Sequence, residues 1–374
     1  MAENSLSILL QTNPSAKNTL AESWGKVIAN YQKGTISSLF KNTDLSGDPM
    51  SGIVNAKRFA NITASAYGTA RAAGAGNKVK ALPVPVAIND NDEFIEEVEE
   101  KDLIMYGVDG LIQKRTENHD SAMKRMYERR FFNKGVLAGE VHTYTASTIQ
   151  TKLEEIIQLL ETVQNDFVDG IDRADMCIVL KPSIYGEART YIDSLNNASI
   201  DSSIGEFGMF HGVIVFSSVY LPATVDYLIF VKGAVAQPIR QSILNPSKIE
   251  LSDATAFGMF LYSGTVAVTD DLIFFAGTLG VVTITTVYGG VANHSVITVT
   301  SAASDTANSF YYLAHASAVA APVYGVITTG WTEMVLTVGA QDIVFATETK
   351  IRVAEVDASG RIIKTSAETT IVKA

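Results

Sequence analysis

The run Met176-Cys177-Ile178-Val179-Leu180, closed by Lys181-Pro182, decides the class of fold. Five apolar residues in succession, without alternation, predict a strand covered on both faces, and the proline that follows cannot continue a central strand. Helical patterns stand on either side of it. Upstream, Ile149, Leu153, Ile156, Leu160, Val163 and Phe167 recur at three- and four-residue steps, which is one face of an amphipathic helix. Ser147 with Gln150 reads as its capping box and Gly170 as its stop. Downstream, residues Ser183 to Leu195 predict a further helix, followed by apolar runs at His211 to Phe216, Tyr227 to Val231, Ala256 to Tyr262 and Leu272 to Phe275. The middle of the chain is therefore a mixed α+β body.

Working outward toward the N-terminus, the charge pattern changes abruptly. Glu93, Glu96, Glu97, Glu99 and Glu100 precede Lys124, Arg125, Arg129, Arg130 and Lys134, with Gly135 behind them. Acids first and bases last complement a helix dipole, so a long helical region is expected from Asp92, capped at Gly135 and kinked or divided at Gly107 and Gly110. Before it, Ser51 to Thr63 and Lys78 to Ile88 flank the small-residue centre Ala72-Ala73-Gly74-Ala75-Gly76-Asn77, which predicts a projecting two-stranded loop. Pro83-Val84-Pro85-Val86 suits an edge strand of that loop. Residues 1–47 have weak periodicity and isolated anchors at Trp24, Tyr31 and Phe40, so we expect an extended arm with one short helix, ordered by lying on a neighbour.

Toward the C-terminus no helical pattern survives beyond Ala276. Strand-like runs recur at Val281 to Val287, Val296 to Thr300, Met334 to Val338, Lys350 to Val356 and Arg361 to Lys364, and Asp357-Ala358-Ser359-Gly360 predicts the hairpin turn joining the last two. Between Asp271 and Asp305 there is no Asp, Glu, Lys or Arg, but the alternation in Thr283-Ile284-Thr285-Thr286-Val287 and the break at Gly289-Gly290 mark sheet rather than a membrane span. A separate β-sandwich is expected over 277–374.

Composition bounds the function. A chain of 374 residues exceeds one hydrophobic core, so at least two folding units are expected. It is 47% hydrophobic and only 18% charged, with mean hydropathy +0.16, a surplus of apolar surface that other copies of a protein would cover. The net charge of −11 has the wrong sign for gripping phosphates, though not for merely surrounding nucleic acid. Cys177 is the one cysteine, which excludes an internal disulfide framework, and in its strand it would be an inert thiol. Met1-Ala2-Glu3-Asn4-Ser5 carries no basic region of a secretion signal, which fits cytoplasmic synthesis. His119, His142, His211, His294 and His315 read as isolated surface or packing residues, the glycines make no phosphate loop, and no nucleophile elbow is present. No catalytic residue, cofactor or metal is expected, and Glu96, Glu97, Glu99 and Glu100 are read as complementing a helix dipole.

The order of elements, together with Gly212-Val213-Ile214-Val215-Phe216-Ser217-Ser218, Leu221-Pro222, Phe230 to Pro238 and Ala256 to Asp271, resembles the major capsid (major head) protein of tailed double-stranded DNA bacteriophages. The resemblance implies an α+β phage-capsid-type fold: an N-arm at 1–47, an E-loop at 48–92, a P-domain with a long spine helix at 93–170 and 250–276, and an A-domain at 171–249. The 277–374 tail resembles the immunoglobulin-like modules that some phage structural proteins append, and is expected to be an independent unit on the outside. The implied function is a structural protein, not an enzyme, that self-assembles into pentamers and hexamers of an icosahedral head. That shell would enclose double-stranded DNA without sequence-specific binding, assemble with a separate scaffolding protein and a portal, contact no membrane, and reside in the virion after synthesis in the host cytoplasm. Candidate inter-subunit contacts are Trp24 as an apolar anchor and the loop bases Arg58, Arg71, Lys78 and Lys80, which would meet Glu96, Glu97 and Glu100 of a neighbouring subunit. The alternatives are a bacterial nanocompartment shell of the same fold and a glycan-binding surface adhesin.

Overall fold

The structure is a computed structural model, and it describes residues 35–47, 52–61, 66–67, 81–99, 108–194, 208–250, 252–325, 330–336 and 339–373. Trp24, Arg71, Lys78, Lys80 and Glu100 lie outside the described residues. In chain order the main elements are β1 (Ile53–Phe59), β2 (Ala81–Ala87), β3 (Asp90–Glu99), α1 (Val108–Ala138), α2 (Ile149–Glu161), β4 (Met176–Leu180), α3 (Pro182–Ser194), β5 (Val213–Ser217), β6 (Val225–Val231), β7 (Ile239–Lys248), β8 (Ala254–Ser263) and β9 (Ile273–Gly277). The tail adds β10 (Ile284–Tyr288), β11 (His294–Val299), β12 (Ser309–His315), β13 (Ala340–Val344), β14 (Lys350–Val356) and β15 (Ile362–Thr365). The chain divides into two compact units, Met1–Phe131 with Val235–Val268, and Phe132–Ala234 with Thr269–Ala374.

In the first unit, β1 and β2 form the expected antiparallel pair, in register from Ile53 opposite Ala87 to Phe59 opposite Ala81. Leu45–Ser46 pairs on the other side of β1, which leaves β2 as an edge among the described residues. Pro83 and Pro85 therefore sit where an N–H that faces outward is not missed. The base of the pair is held by Ala56 and Val86, buried with Ala236 and Val268. A second sheet runs β7, β8, β3, all antiparallel, and α1 lies on it through Met123 and Tyr127 against Met259 and Leu261.

This arrangement corrects the reading of the acidic segment. Glu93, Glu96, Glu97 and Glu99 are on strand β3, not at the front of the helix, and α1 begins only at Val108. The helix also runs past Gly135 to Ala138, so Gly135 is not its cap. Burial on β3 alternates residue by residue, the signature of a strand with one face on the protein. Polar residues on both faces hide that period, because neither face reads as apolar.

The second unit is built on a six-stranded sheet in the order Glu140–Val141, β9, β6, β4, β5, Met209–Phe210. Every residue of β4 is 0% exposed, as the unbroken apolar run implies. One face of the sheet, with Met176, Ile178, Leu180, Ile229 and Phe274, carries α2 through Leu153, Ile156, Ile157 and Leu160. Thr148, one residue after the expected Ser147, caps α2: its hydroxyl accepts from the Thr151 N–H. The helix stops at Glu161 rather than Gly170, where Thr162 donates its hydroxyl back to the Gln158 carbonyl. Gly170 instead takes a positive φ of 80° in the loop beyond, with its N–H on the Val163 carbonyl.

The tail is an all-β sandwich. One sheet runs Gly280–Val281, β15, β14, β12, Thr332–Glu333, and the other runs β10, β11, β13. Their inner faces share a core of Ile297, Phe310, Met334, Ile343, Phe345 and Val353. The predicted hairpin turn is present, with Asp357 Oδ1 accepting from the Ser359 and Arg361 N–H groups. β12 and β13 have no clear signal in the sequence. Of the strand expected from Met334 to Val338, residues 334–336 are not in a strand, and Thr337 and Val338 lie outside the described residues.

The tail is bonded to the rest of its unit rather than hanging free of it. Arg361 donates from Nη2 to the Leu137 carbonyl and from Nη1 to the Gly139 carbonyl, both at 3.0 Å, so a tail side chain satisfies carbonyls at the C-terminal end of α1. Its guanidinium lies 4.9 Å from the centre of the Phe275 ring, and Asp357 holds its Nε. Tyr324 meets the same Phe275 edge-on. Replacing Arg361 by Ala should cost about 2 to 3 kcal/mol, because two carbonyls at the helix end lose a charged donor; a denaturant midpoint equal to that of the parent protein would contradict the cap.

Candidate functional site

The residues marked out by the sequence for assembly are the loop and the acidic strand. On β3, Asp92, Phe94, Glu96 and Val98 are half-buried toward α1, while Glu93, Ile95, Glu97 and Glu99 are exposed. Arg130 of α1 grips Asp92 with two parallel bonds, Nη1 to Oδ2 at 2.5 Å and Nη2 to Oδ1 at 2.9 Å. Arg115 does the same to Glu96, with Nε to Oε2 at 2.8 Å and Nη2 to Oε1. Such fork-to-carboxylate pairs set register as well as adding energy.

His119 sits beside this second pair, 4% exposed, stacked between Phe94 at 5.9 Å and Phe257 at 5.7 Å. Its Nε2 is 3.3 Å from Glu96 Oε2. Burial alone would raise the Glu96 carboxyl, but Arg115 and His119 outweigh it and hold the group below its usual range. The arm is tied to the same helix: Glu128, wholly buried, accepts the Ile36 and Ser37 N–H groups and so caps the short helix Ser37–Phe40.

Of the sequence-predicted contact residues, Arg58 is half-buried on β1, Glu97 is exposed on the outer face of β3, and Glu96 is engaged by its own chain. Sequence reasoning missed Asp92 and Glu128, whose partners lie 38 and 91 residues away. Four of the five histidines are also not isolated. His119, His142, His211 and His294 each stand beside a carboxylate, Glu96, Glu155, Glu154 and Asp342. Of these four pairs, His119–Glu96 lies within the first unit and the others brace the second.

Two of those carboxylates act as hubs. Glu155 accepts from the Thr145 and Ala146 N–H groups, the Thr145 hydroxyl and His142, tying the segment before α2 onto that helix. Burial works against its charge, but these bonds prevail and lower its carboxyl to about 2. Glu154 is lowered to about 2 chiefly by its bond from Arg173, with His211 adding to it. Cys177 is fully buried, and burial pushes its thiol up, away from reactive thiolate.

An open cleft of about 590 Å³ is bordered by Glu161, Asp169, Asp172, Asp175 and Lys232. Among the described residues no three His, Cys, Asp or Glu side chains converge in a way that could hold a metal ion, and no helix is long and apolar enough to cross a membrane.

No family model matches the sequence, and no curated protein does. Solved structures do. A chain of Mycobacterium phage Che8 superposes with a TM-score of 0.52 at 14% identity, over 67% of this chain and 94% of that one. The capsid structure of the cyanophage P-SCSP1u matches with a TM-score of 0.50 at 15% identity, over 68% and 90%. The capsid of Ralstonia phage GP4 matches with a TM-score of 0.50 at 11% identity, over 68% and 93%. The chain thus has the phage-capsid fold, present almost entire, with about a third of its length left over for additional structure.

The carboxylate hubs give a pH signature. Because Glu154 and Glu155 titrate at about 2 in the folded chain against 4.5 ordinarily, their stabilisation is complete above 4.5 and is lost as pH falls toward 2. Thermal melts across that window should show the loss, and Glu155→Gln should shrink it; an unchanged profile in that variant would remove Glu155 from the account.

Proposed function

We propose that this chain is the major capsid subunit of a tailed double-stranded DNA bacteriophage, assembling as pentamers and hexamers into an icosahedral head. The observation that carries this reading is the succession of a paired-strand loop, an acidic strand clamped to a 31-residue helix, and a six-stranded sheet, matched over nine-tenths of phage capsid chains. In this reading β1 and β2 are the E-loop, α1 is the spine helix of the P-domain with β3, β7 and β8 beside it, and the sheet around β4 belongs to the A-domain.

The work of such a protein is mechanical. The loop and arm reach over neighbouring subunits, so burial is shared across the shell and each capsomer resists pressure from the DNA within. The bases Arg58, Arg71, Lys78 and Lys80 meet exposed acids of a neighbour, of which Glu97 is the sequence-predicted candidate that its own chain leaves at the surface. Each such rim pair is worth only ~0 to 1 kcal/mol, and repetition through the shell supplies the effect. The interior holds DNA without sequence-specific contacts, as the net charge of −11 supports. Scaffolding protein and portal are the expected partners, the virion the destination and the host cytoplasm the place of synthesis.

The tail is read as an immunoglobulin-like module on the outer surface. In support, Gly280–Val281 pairs parallel with β15, the hairpin β14–β15 sits beside β12, and β10, β11 and β13 form the opposing sheet. An outer position leaves the interior volume to DNA.

Two experiments test the proposal. Electron microscopy of the concentrated protein, alone and co-expressed with its scaffold, should show rings, tubes or shells; a stable monomer under every condition would overturn it. Replacing Arg58, Arg71, Lys78 and Lys80 together by Gln should reduce particle yield or melting temperature, and unchanged particles would remove the loop charges from the mechanism.

A further inference from the structure

The sandwich core contains a carboxylate. Glu355 is 0% exposed and lies on β14 in step with Ile351 and Val353, which face the core, and opposite Phe310 of β12. Three groups converge on it. Asn308 donates from Nδ2 to Oε1 at 2.7 Å, the Ser304 N–H donates to the same oxygen, and the Lys364 ammonium stands 2.8 Å from Oε2. Lys364 is the cross-strand partner of Glu355 on β15.

The surroundings build this arrangement. The Lys364 stem lies across Gly280, where a Cβ would come within 2.6 Å of Lys364 Cγ. A larger residue at position 280 would have to displace that stem. Asn308 is delivered at the foot of β12 by a turn in which the Asp305 carbonyl accepts the Asn308 N–H at 3.2 Å and Asp305 Oδ1 accepts the Ala307 N–H at 3.0 Å. An amine and a carboxamide, both half-buried, are thus brought from neighbouring segments onto one fully buried carboxylate. As a stabiliser alone, a buried ion pair is often no better than well-packed apolar residues of similar volume, so its construction calls for another account.

We propose that Lys364 and Asn308 condense within the folded chain to an isopeptide bond, with Glu355 as the proton shuttle. Lys364 passes one proton to Glu355, and the freed amine attacks Asn308 Cγ to give a tetrahedral intermediate. A second proton moves from Nζ by way of Glu355 to Nδ2, the Cγ–Nδ2 bond breaks, and ammonia leaves as ammonium. The Nζ–Cγ amide remains and Glu355 is regenerated, so the reaction needs no oxidant or co-reactant and turns over once. Glu355 contacts both groups, and holding the amine and the carboxamide at one carboxylate supplies the effective concentration that the exchange requires. Burial would raise the Glu355 carboxyl, but Asn308, Lys364 and Ser304 outweigh it and hold it low, so Glu355 starts as the carboxylate that takes the Lys364 proton before the freed amine attacks.

The bond would strap β12 to β15 across β14 and close the chain between residues 308 and 364. This inference stands apart from the capsid reading, since it needs only the folded tail.

Intact mass spectrometry of the full-length protein is the test. The parent chain should weigh about 17 Da less than its sequence, one ammonia, and its tryptic digest should contain a branched peptide joining the Asn308 and Lys364 segments. Lys364→Arg keeps the cation and Asn308→Ala keeps the strand; each should show the full mass for its sequence, with an unchanged β-type circular dichroism spectrum and melting lower by at least about 10 °C. A parent chain of full mass with no branched peptide overturns the proposal. Glu355→Gln that still forms the branched peptide overturns the shuttle role.

Discussion

A strand that exposes nothing on either face has to be covered from two sides, and β4 imposes that demand on the second unit. One side is met by α2, whose apolar stripe Leu153, Ile156, Ile157 and Leu160 lies on Met176, Ile178 and Leu180. The other side includes Ile273 and Phe275, which alternate with Phe274 along β9. There Gly139, just past the end of α1, comes so close that a Cβ would strike Ile273, and Tyr324 and Arg361 of the tail cover Phe275. The tail is thereby part of how the sheet is closed.

The chain is poor in charged residues, yet many of its carboxylates are engaged within it: Asp92 and Glu96 by arginines of α1, Glu128 by the arm, Glu154 and Glu155 around α2, Glu355 in the sandwich. Asp92, Glu128 and Glu154 hold together segments distant in sequence, and Glu155 and Glu355 tie neighbouring ones. Directional bonds of this kind specify register where an apolar contact tolerates sliding. Under the proposed capsid reading, such definition of register matters more to the subunit than surplus stability.

Much of this architecture is legible in the residues. The unbroken apolar run at 176–180 marks β4, the three- and four-step spacing marks α2, the prolines at 83 and 85 mark an edge, and Asp357-Ala358-Ser359-Gly360 marks a hairpin. These signals are local: each depends on period or on the backbone demands of one residue type, and a window of about ten residues contains it. The acidic segment misleads for the same reason. Acids before bases suit a helix dipole locally, and only pairing with β8 along the whole strand and the arginines of α1 make it a strand.

What the sequence determined by itself was the elements with a clear local period, such as β4, α2 and the β14–β15 hairpin, and an apolar surplus seeking partners, while β3, β12 and β13 escaped it. The tertiary structure alone decided which side chains meet. Arg361 reaches carbonyls 222 and 224 residues away, Glu128 caps a helix 91 residues earlier, and Glu355 gathers Asn308 and Lys364 from different segments of the tail. No periodicity encodes such encounters, because they depend on how whole elements stack, and the energy that selects the stacking is spread over the core rather than written in any short stretch.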